Sequence, residues 1–302
     1  MSIEYNEDNL VEQATVDILA NIGWDIQTAW GNEVFGVDGS LGRENKSEVI
    51  LQKYLLAALK VLNPDLPQSA YKDAYLQISQ READKALDRT NKEKYELIKS
   101  GVKVSFTNDD GELTRKTLKV FDFNNLDNNH FLAVRQLEVT GELYNRRPDV
   151  IGFVNGIPLV FFELKAHNRD LRHAYADNLK DYKDTIPHLF HTNAFVILSN
   201  GIDTQDNSGT KIGTITSPFK FFHEWKRISE NVEGVVSLDT TIRGTCSKSN
   251  LLDLFENFLL FDDAGGDVSK ILAKNHQYLG VNKALAQMSD ADSISELKNK
   301  LG

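Results

Sequence analysis

The sequence predicts an α/β or α+β layer built around a mixed sheet. Three observations carry this. The first hundred residues have helical periodicity. From Val102 the period switches to the two-residue alternation of strands, with hairpin turns. A β-α-β return then follows through Asp170–Leu198.

Each element has its own signal. Asn9–Ile22 carries a stripe at Leu10, Val11, Ala14, Ile18, Leu19 and Ile22, with Gly23 as its stop. Lys46–Leu62 repeats the stripe and ends at Asn63-Pro64. Ala70–Ser100 holds two further helical stretches. Val102–Thr107 and Leu113–Phe121 alternate around the turn Asn108-Asp-Asp-Gly111, and His130–Val139 reads as another strand. Asp149–Val154 and Ile157–Lys165 flank Asn155-Gly156, a two-residue hairpin turn. Both are nearly continuous in apolar residues, which predicts burial on both faces. Asp170–Asp184 is a helix, Ala194–Leu198 a buried strand, Lys211–Ile215 a short strand and Phe219–Ile228 a short helix. Asn250–Leu260 and Ile271–Gln287 are helical, around a loop at Asp262–Asp267. A boundary is expected near 240–268. It separates 1–240, helical to 100 and α/β from 101, from a linker and helical segment at 241–302. There are no internal repeats.

Composition narrows the class. The 302 residues are 41% hydrophobic, 26% charged and 9% aromatic, ordinary values for a folded protein. Apolar runs such as Gly156–Glu163 fall far short of the ~18 residues that span a bilayer, and the polar start carries no signal peptide. Cys246 stands alone, which excludes an internal disulfide and a cysteine-based zinc site. A cytoplasmic protein is expected. The net charge of −10 is the wrong sign for gripping nucleic acid globally, so any DNA contact must come from a local basic patch.

The residues with chemistry are Arg146-Arg-Pro-Asp149 and Phe162-Glu-Leu-Lys165. Thirteen residues separate Asp149 from Glu163. With Asn155-Gly156 as the turn, both carboxylates lie at one end of the sheet, and Glu163 and Lys165 share a face. Two acids and an amine then converge among Val, Ile, Leu and Phe. Hard oxygen ligands of this kind suit Mg²⁺, which binds one or two carboxylates and a substrate phosphate. Metal-assisted phosphodiester hydrolysis is the matching reaction, with the ammonium holding water and offsetting charge.

This text resembles the PD-(D/E)xK nuclease core. Arg146–Lys165 as a whole resembles the N-terminal endonuclease domain of the restriction (motor) subunit of type I restriction-modification enzymes. Asn63-Pro-Asp-Leu-Pro67, Asn129–Gln136, Ser199-Asn-Gly201 and Glu12 placed ahead of Gly23-Trp24 are similar to that family too. The resemblance runs from about Asn9 to Met288. It implies a restriction-endonuclease-like α/β core with helical additions before and after it. It also implies metal-binding Asp149 and Glu163, a catalytic Lys165, and Glu12 near the site from the first helix. The family's next helix carries Gln-x-x-x-Tyr. Here Asn178 and Tyr182 stand there, and the spacing from Glu163 to Asn178 is longer by one residue. The implied cofactor is Mg²⁺ and the implied substrate double-stranded DNA. The implied partners are methyltransferase and specificity subunits, with no membrane.

Basic residues around the motif, Arg146, Arg147, Arg169, Arg172 and Lys180, are candidates for the local DNA-binding patch, and His167 sits just past the lysine. His188 and His191 have a chelating spacing but no third ligand nearby, so packing is expected of them. No Walker motif occurs, and Gly244-Thr-Cys-Ser-Lys-Ser249 lacks its second glycine. Ala273–Ala284 resembles the lead-in to the family's helicase-like motor. A nuclease fragment without that motor is expected, with ATP bound only by a full-length subunit. Two rivals stand beside it: a catalytically idle docking module of the same complex, and a stand-alone repair nuclease.

Overall fold

The helical periodicity of the first hundred residues becomes four helices and one short strand. The computed structural model describes residues 7–82, 84–108, 110–203 and 208–301. Helix α1 (Glu7–Asn21) buries Val11, Val16 and Leu19 and stops at Gly23, whose φ of +88° lies in the left-handed region. Strand β1 (Asp25–Thr28) follows. Helices α2 (Gln52–Leu62), α3 (Gln68–Ser79) and α4 (Leu87–Ser100) complete the group.

The helix expected over 46–62 begins only at Gln52. The backbone before it is already committed: the Arg43 guanidinium donates to Lys46 O and Glu48 O. Leu51 N–H donates to Gly156 O at 2.8 Å. Those groups are unavailable to a helical ladder.

Strands β2 (Val102–Thr107) and β3 (Leu113–Leu118) pair as the expected hairpin, in a two-stranded sheet of their own. The central sheet takes β4 (Phe131–Arg135) and, past a small β5 (Val139–Thr140)–β6 (Asn145–Arg146) pair, β7 (Val150–Val154) and β8 (Ile157–Leu164). Every residue of β7 and β8 is buried. The crossover comprises α5 (Leu171–His173), a π-helical turn (Ala174–Leu179) and α6 (Lys180–Thr185). It returns the chain to β9 (Phe195–Asp203) and β10 (Ser208–Gly213). The order is β1-β4-β7-β8-β9-β10. The β1/β4 and β8/β9 pairs are parallel, and the other three are antiparallel. The protein is therefore α/β with a mixed sheet flanked by helices. One face, with Val150, Phe162 and Ile197, is covered by α1, a later helix over Leu238–Cys246 and their neighbours. The other, with Phe161, Val196 and Leu198, is covered by α5–α6.

The helix expected at Phe219–Ile228 contracts to a 3-10 turn at Phe219–Phe221. His223 exchanges both backbone bonds with Ile212 on the sheet edge, and Asn275 Oδ1 accepts Lys226 and Arg227 N–H. Helices α7 (Leu238–Cys246) and α8 (Lys248–Asn257) follow, α7 capped by the Ser237 hydroxyl. Ile242, Cys246, Leu251 and Phe255 join the same core as α1. The apolar stretch around Leu260 divides: β11 (Leu259–Asp262) leaves α8 and pairs with β12 (Ser269–Leu272). Ile271 and Leu272 therefore lie in a strand rather than a helix, and α9 (Asn275–Leu301) starts after them. Among the described residues no helix is long and apolar enough to cross a membrane.

Candidate active site

The site is built by the β7–β8 hairpin. Asn155 and Gly156 take φ of +50° and +77°, the signs a type I′ turn requires. A Cβ on Gly156 would lie 2.5 Å from Leu51 O, so the position also needs glycine for space. From this turn Val154 pairs with Ile157. The register then slips: Phe153 faces Pro158 but Gly152 faces Val160, leaving Leu159 as a bulge. Val150 consequently opposes Phe162, and continuing that register brings Asp149 level with Glu163. A regular ladder from the same turn would have set Asp149 against Phe162 and sent the two carboxylates to opposite faces. The bulge is fixed from the neighbouring strand, where Ala194 N–H donates to Leu159 O at 2.7 Å.

At the strand ends, Asp149 Oδ2 accepts the Leu164 N–H at 2.7 Å. Lys165 Nζ lies 2.7 Å from Glu163 Oε1. Glu163 is 1% exposed, and its Oε2 is enclosed without a hydrogen bond of ordinary geometry. Burial pushes the Glu163 carboxyl well above the usual carboxylate range; the Asp149 charge adds to this, and Lys165 opposes it. Tyr182 lies on the same side, its ring edge-on to Phe161 with centroids 5.7 Å apart. Burial first, then the two carboxylates, push its hydroxyl far up, so it stays protonated. The Asn178 amide approaches both Glu163 and Tyr182 and favours their charged forms. Asn178 sits in the π-helical turn, which holds one residue more than an α-helical turn. That wider turn matches the one-residue excess in its spacing from Glu163.

Glu12 reaches the sheet end from the opposite layer. Its oxygens are taken by Arg135 Nε at 2.7 Å and Gln136 Nε2 at 3.0 Å. Its link to the site runs through Gln136, whose N–H donates to Asp149 O at 2.8 Å. The partnership with Arg135 and Gln136 was invisible in sequence, since over a hundred residues separate them from Glu12.

The basic candidates divide. Arg146 is ion-paired to Asp181 and lies over Tyr144, 4.9 Å from the ring centre. Arg147 is exposed and lies 4.1 Å from the centre of the Trp30 ring. Arg172 rests on Phe219, 5.8 Å from its ring centre. Arg169 and Lys180 are exposed, and Arg169 O accepts the Asn200 amide. His167 is exposed beside Gly201, where an added Cβ would come within 2.9 Å of its ring.

His188 and His191 are held neutral. Burial, helped by Arg81 and other nearby cations, lowers His188 to about 3 and His191 to about 4. Among the described residues no group of three His, Cys, Asp or Glu is placed to hold a metal. Folded values below the unfolded ~6.5 mean that both contribute stability present above pH ~6.5 and lost as pH falls towards 4. Urea midpoints should drop across that window, and the double substitution His188→Gln/His191→Gln should flatten the drop. An equally steep drop in the double variant would assign it elsewhere.

Comparison with known proteins gives a consistent result. Residues 4–210 match the family described as the type I restriction enzyme R protein N terminus. The chain is 33% identical over 288 residues to the type I restriction enzyme HindI endonuclease subunit of Haemophilus influenzae, covering 92% of this chain and 26% of that protein. It is 29% identical over 304 residues to the putative type I restriction enzyme MjaIXP endonuclease subunit of Methanocaldococcus jannaschii, covering 93% and 27%. Against the EcoprrI endonuclease subunit of Escherichia coli the identity is 27% over 195 residues, covering 64% and 59%. The chain thus spans about a quarter of the length of the first two relatives.

Proposed function

Because this chain belongs to the family of type I restriction enzyme R protein N termini, we propose that it is a Mg²⁺-dependent PD-(D/E)xK nuclease domain that cuts double-stranded DNA. The observation that carries the reading is Asp149 level with Glu163 across the hairpin, with Lys165 on Glu163. A buried carboxyl oxygen without a hydrogen bond of ordinary geometry, beside a second carboxylate, is a place a cation satisfies, so the pair fits a divalent metal. Asp149 and Glu163 would hold it. Bound Mg²⁺ would supply Lewis acidity towards the phosphate and a more acidic water.

The chain's own groups do the rest. Lys165 brings an ammonium beside Glu163, where it orients the attacking water and offsets charge developing on the phosphate. Tyr182, held protonated, and the Asn178 amide keep the Glu163 carboxylate in place. Glu12 supports the site through Gln136. In this reading target recognition belongs to a specificity subunit, methylation to a methyltransferase subunit, and ATP-driven translocation to a motor outside these 302 residues, all in the cytoplasm. The idle docking module remains as the rival.

The experiment is a calorimetric Mg²⁺ titration beside a duplex-binding assay in chelator, for wild type and Glu163→Gln. Mg²⁺ prefers anionic oxygen, and glutamine preserves volume, so Mg²⁺ affinity should fall about tenfold or more while duplex affinity stays within about twofold. Unchanged Mg²⁺ affinity with collapsed duplex affinity would remove Glu163 as a metal ligand and favour the docking module.

A further inference from the structure

Two residues before Asp149, the Arg147 guanidinium lies over the Trp30 ring, 4.1 Å from its centre, on an indole left 50% exposed. A cation on an aromatic face is attracted by the ring quadrupole, and the stack leaves the guanidinium edge donors in water. Among the described residues no ion pair occupies Arg147, whereas adjacent Arg146 is taken by Asp181.

Trp30 is placed by a loop tied down by backbone and side-chain hydrogen bonds. Ala29 N–H donates to Arg135 O at 3.0 Å, continuing the β1/β4 register by one residue. Glu33 N–H closes the turn onto Ala29 O at 2.9 Å. Arg43, fully buried, grips Glu33 through Nε at 2.7 Å and Nη2 at 2.5 Å. It also donates to Glu138 O at 3.2 Å. The loop hangs from the sheet end where Arg135 opposes Val150, next to Asp149. Two extended residues span at most about 7 Å along the backbone, so Arg147 leaves the chain beside the strand end that carries Asp149.

We propose that Arg147, held on the Trp30 ring, clamps the backbone phosphate of double-stranded DNA beside the Asp149–Glu163 site, and that Arg146 does not. The clamp rests on the nuclease reading for the identity of its ligand. The guanidinium fork matches a phosphate bidentately, and stacking reduces the freedom lost on binding. Trp30 is a positioning residue, acting through Arg147.

The test is duplex binding by this chain in chelator over a salt series, for wild type, Arg147→Ala, Arg147→Lys, Trp30→Ala and Arg146→Ala, with thermal midpoints as a folding control. Arg147→Ala should weaken affinity about tenfold, equally for unrelated duplex sequences, and lower the salt slope by about one ion. Arg147→Lys should restore the slope but only part of the affinity, since the charge returns without the fork. Trp30→Ala should weaken affinity while retaining most of the slope, and Arg146→Ala should change affinity less than Arg147→Ala. A folded Arg147→Ala chain with wild-type affinity and slope overturns the clamp. So does a wild-type chain with no measurable duplex binding at low salt. Mg²⁺ uptake separates the two ideas. If Mg²⁺ uptake proves independent of Glu163 but the Arg147 dependence persists, the nuclease reading fails and the clamp stands.

Discussion

If the proposed nuclease reading holds, an assembled restriction complex containing this chain with Asp149→Ala or Lys165→Ala should cleave DNA on the order of a thousandfold or more slowly, while its ATP hydrolysis stays near wild type. The two substitutions act differently. Asp149→Ala removes one of two carboxylates and strands the Leu164 N–H it accepts at 2.7 Å. Lys165→Ala removes the cation 2.7 Å from a carboxylate that is 1% exposed, so Glu163 is driven further towards its neutral form. Either way the proposed site loses a charge that a phosphate substrate or a bound metal would need. ATP hydrolysis should be spared because no Walker motif lies within these 302 residues. A folded variant that loses both activities equally would show that the two chemistries share residues.

A second large effect concerns stability. Arg43→Met should destabilise the chain by about 3–5 kcal/mol, read as a lower urea midpoint at unchanged slope, because it leaves Glu33 as an unpaired, mostly buried charge. The Glu33 and Arg43 side chains are 6% and 0% exposed. The guanidinium also satisfies Glu48 O and Glu138 O, which methionine cannot. Glu33→Leu combined with Arg43→Met should recover part of the loss, since no lone charge then remains. A single-variant cost below about 1 kcal/mol would mean that the pair is not what fixes this loop. Because the same loop carries Trp30, Arg43→Met should also weaken duplex binding.

The strand and helix assignments that proved legible were those set by short-range chemistry. The alternation of Val102–Thr107 is a backbone period of two made visible by burial. Asn155-Gly156 is a turn because those residues tolerate positive φ. The continuous apolar text of Ile157–Leu164 could only be a strand covered on both faces. One turn places one end of each strand together, so Asp149 and Glu163 were legible as lying at the same sheet end, with Glu163 and Lys165 on one face.

What the tertiary structure decided lies where a distant group competes for the backbone or for a charge. The bulge at Leu159, without which Asp149 and Glu163 would face apart, is held by Ala194 N–H from the adjacent strand. The late start of α2 follows from Arg43 and Gly156 claiming its first backbone groups, and β12 replaces the start of a helix because β11 offers it a partner. Arg146 and Arg147 are identical in sequence, yet Asp181 occupies one and Trp30 displays the other. Periodicity and turn chemistry act over a few residues and can be read from the chain. Hydrogen-bond and ion-pair partners are assigned by proximity in space, which exists only once the sheet has formed.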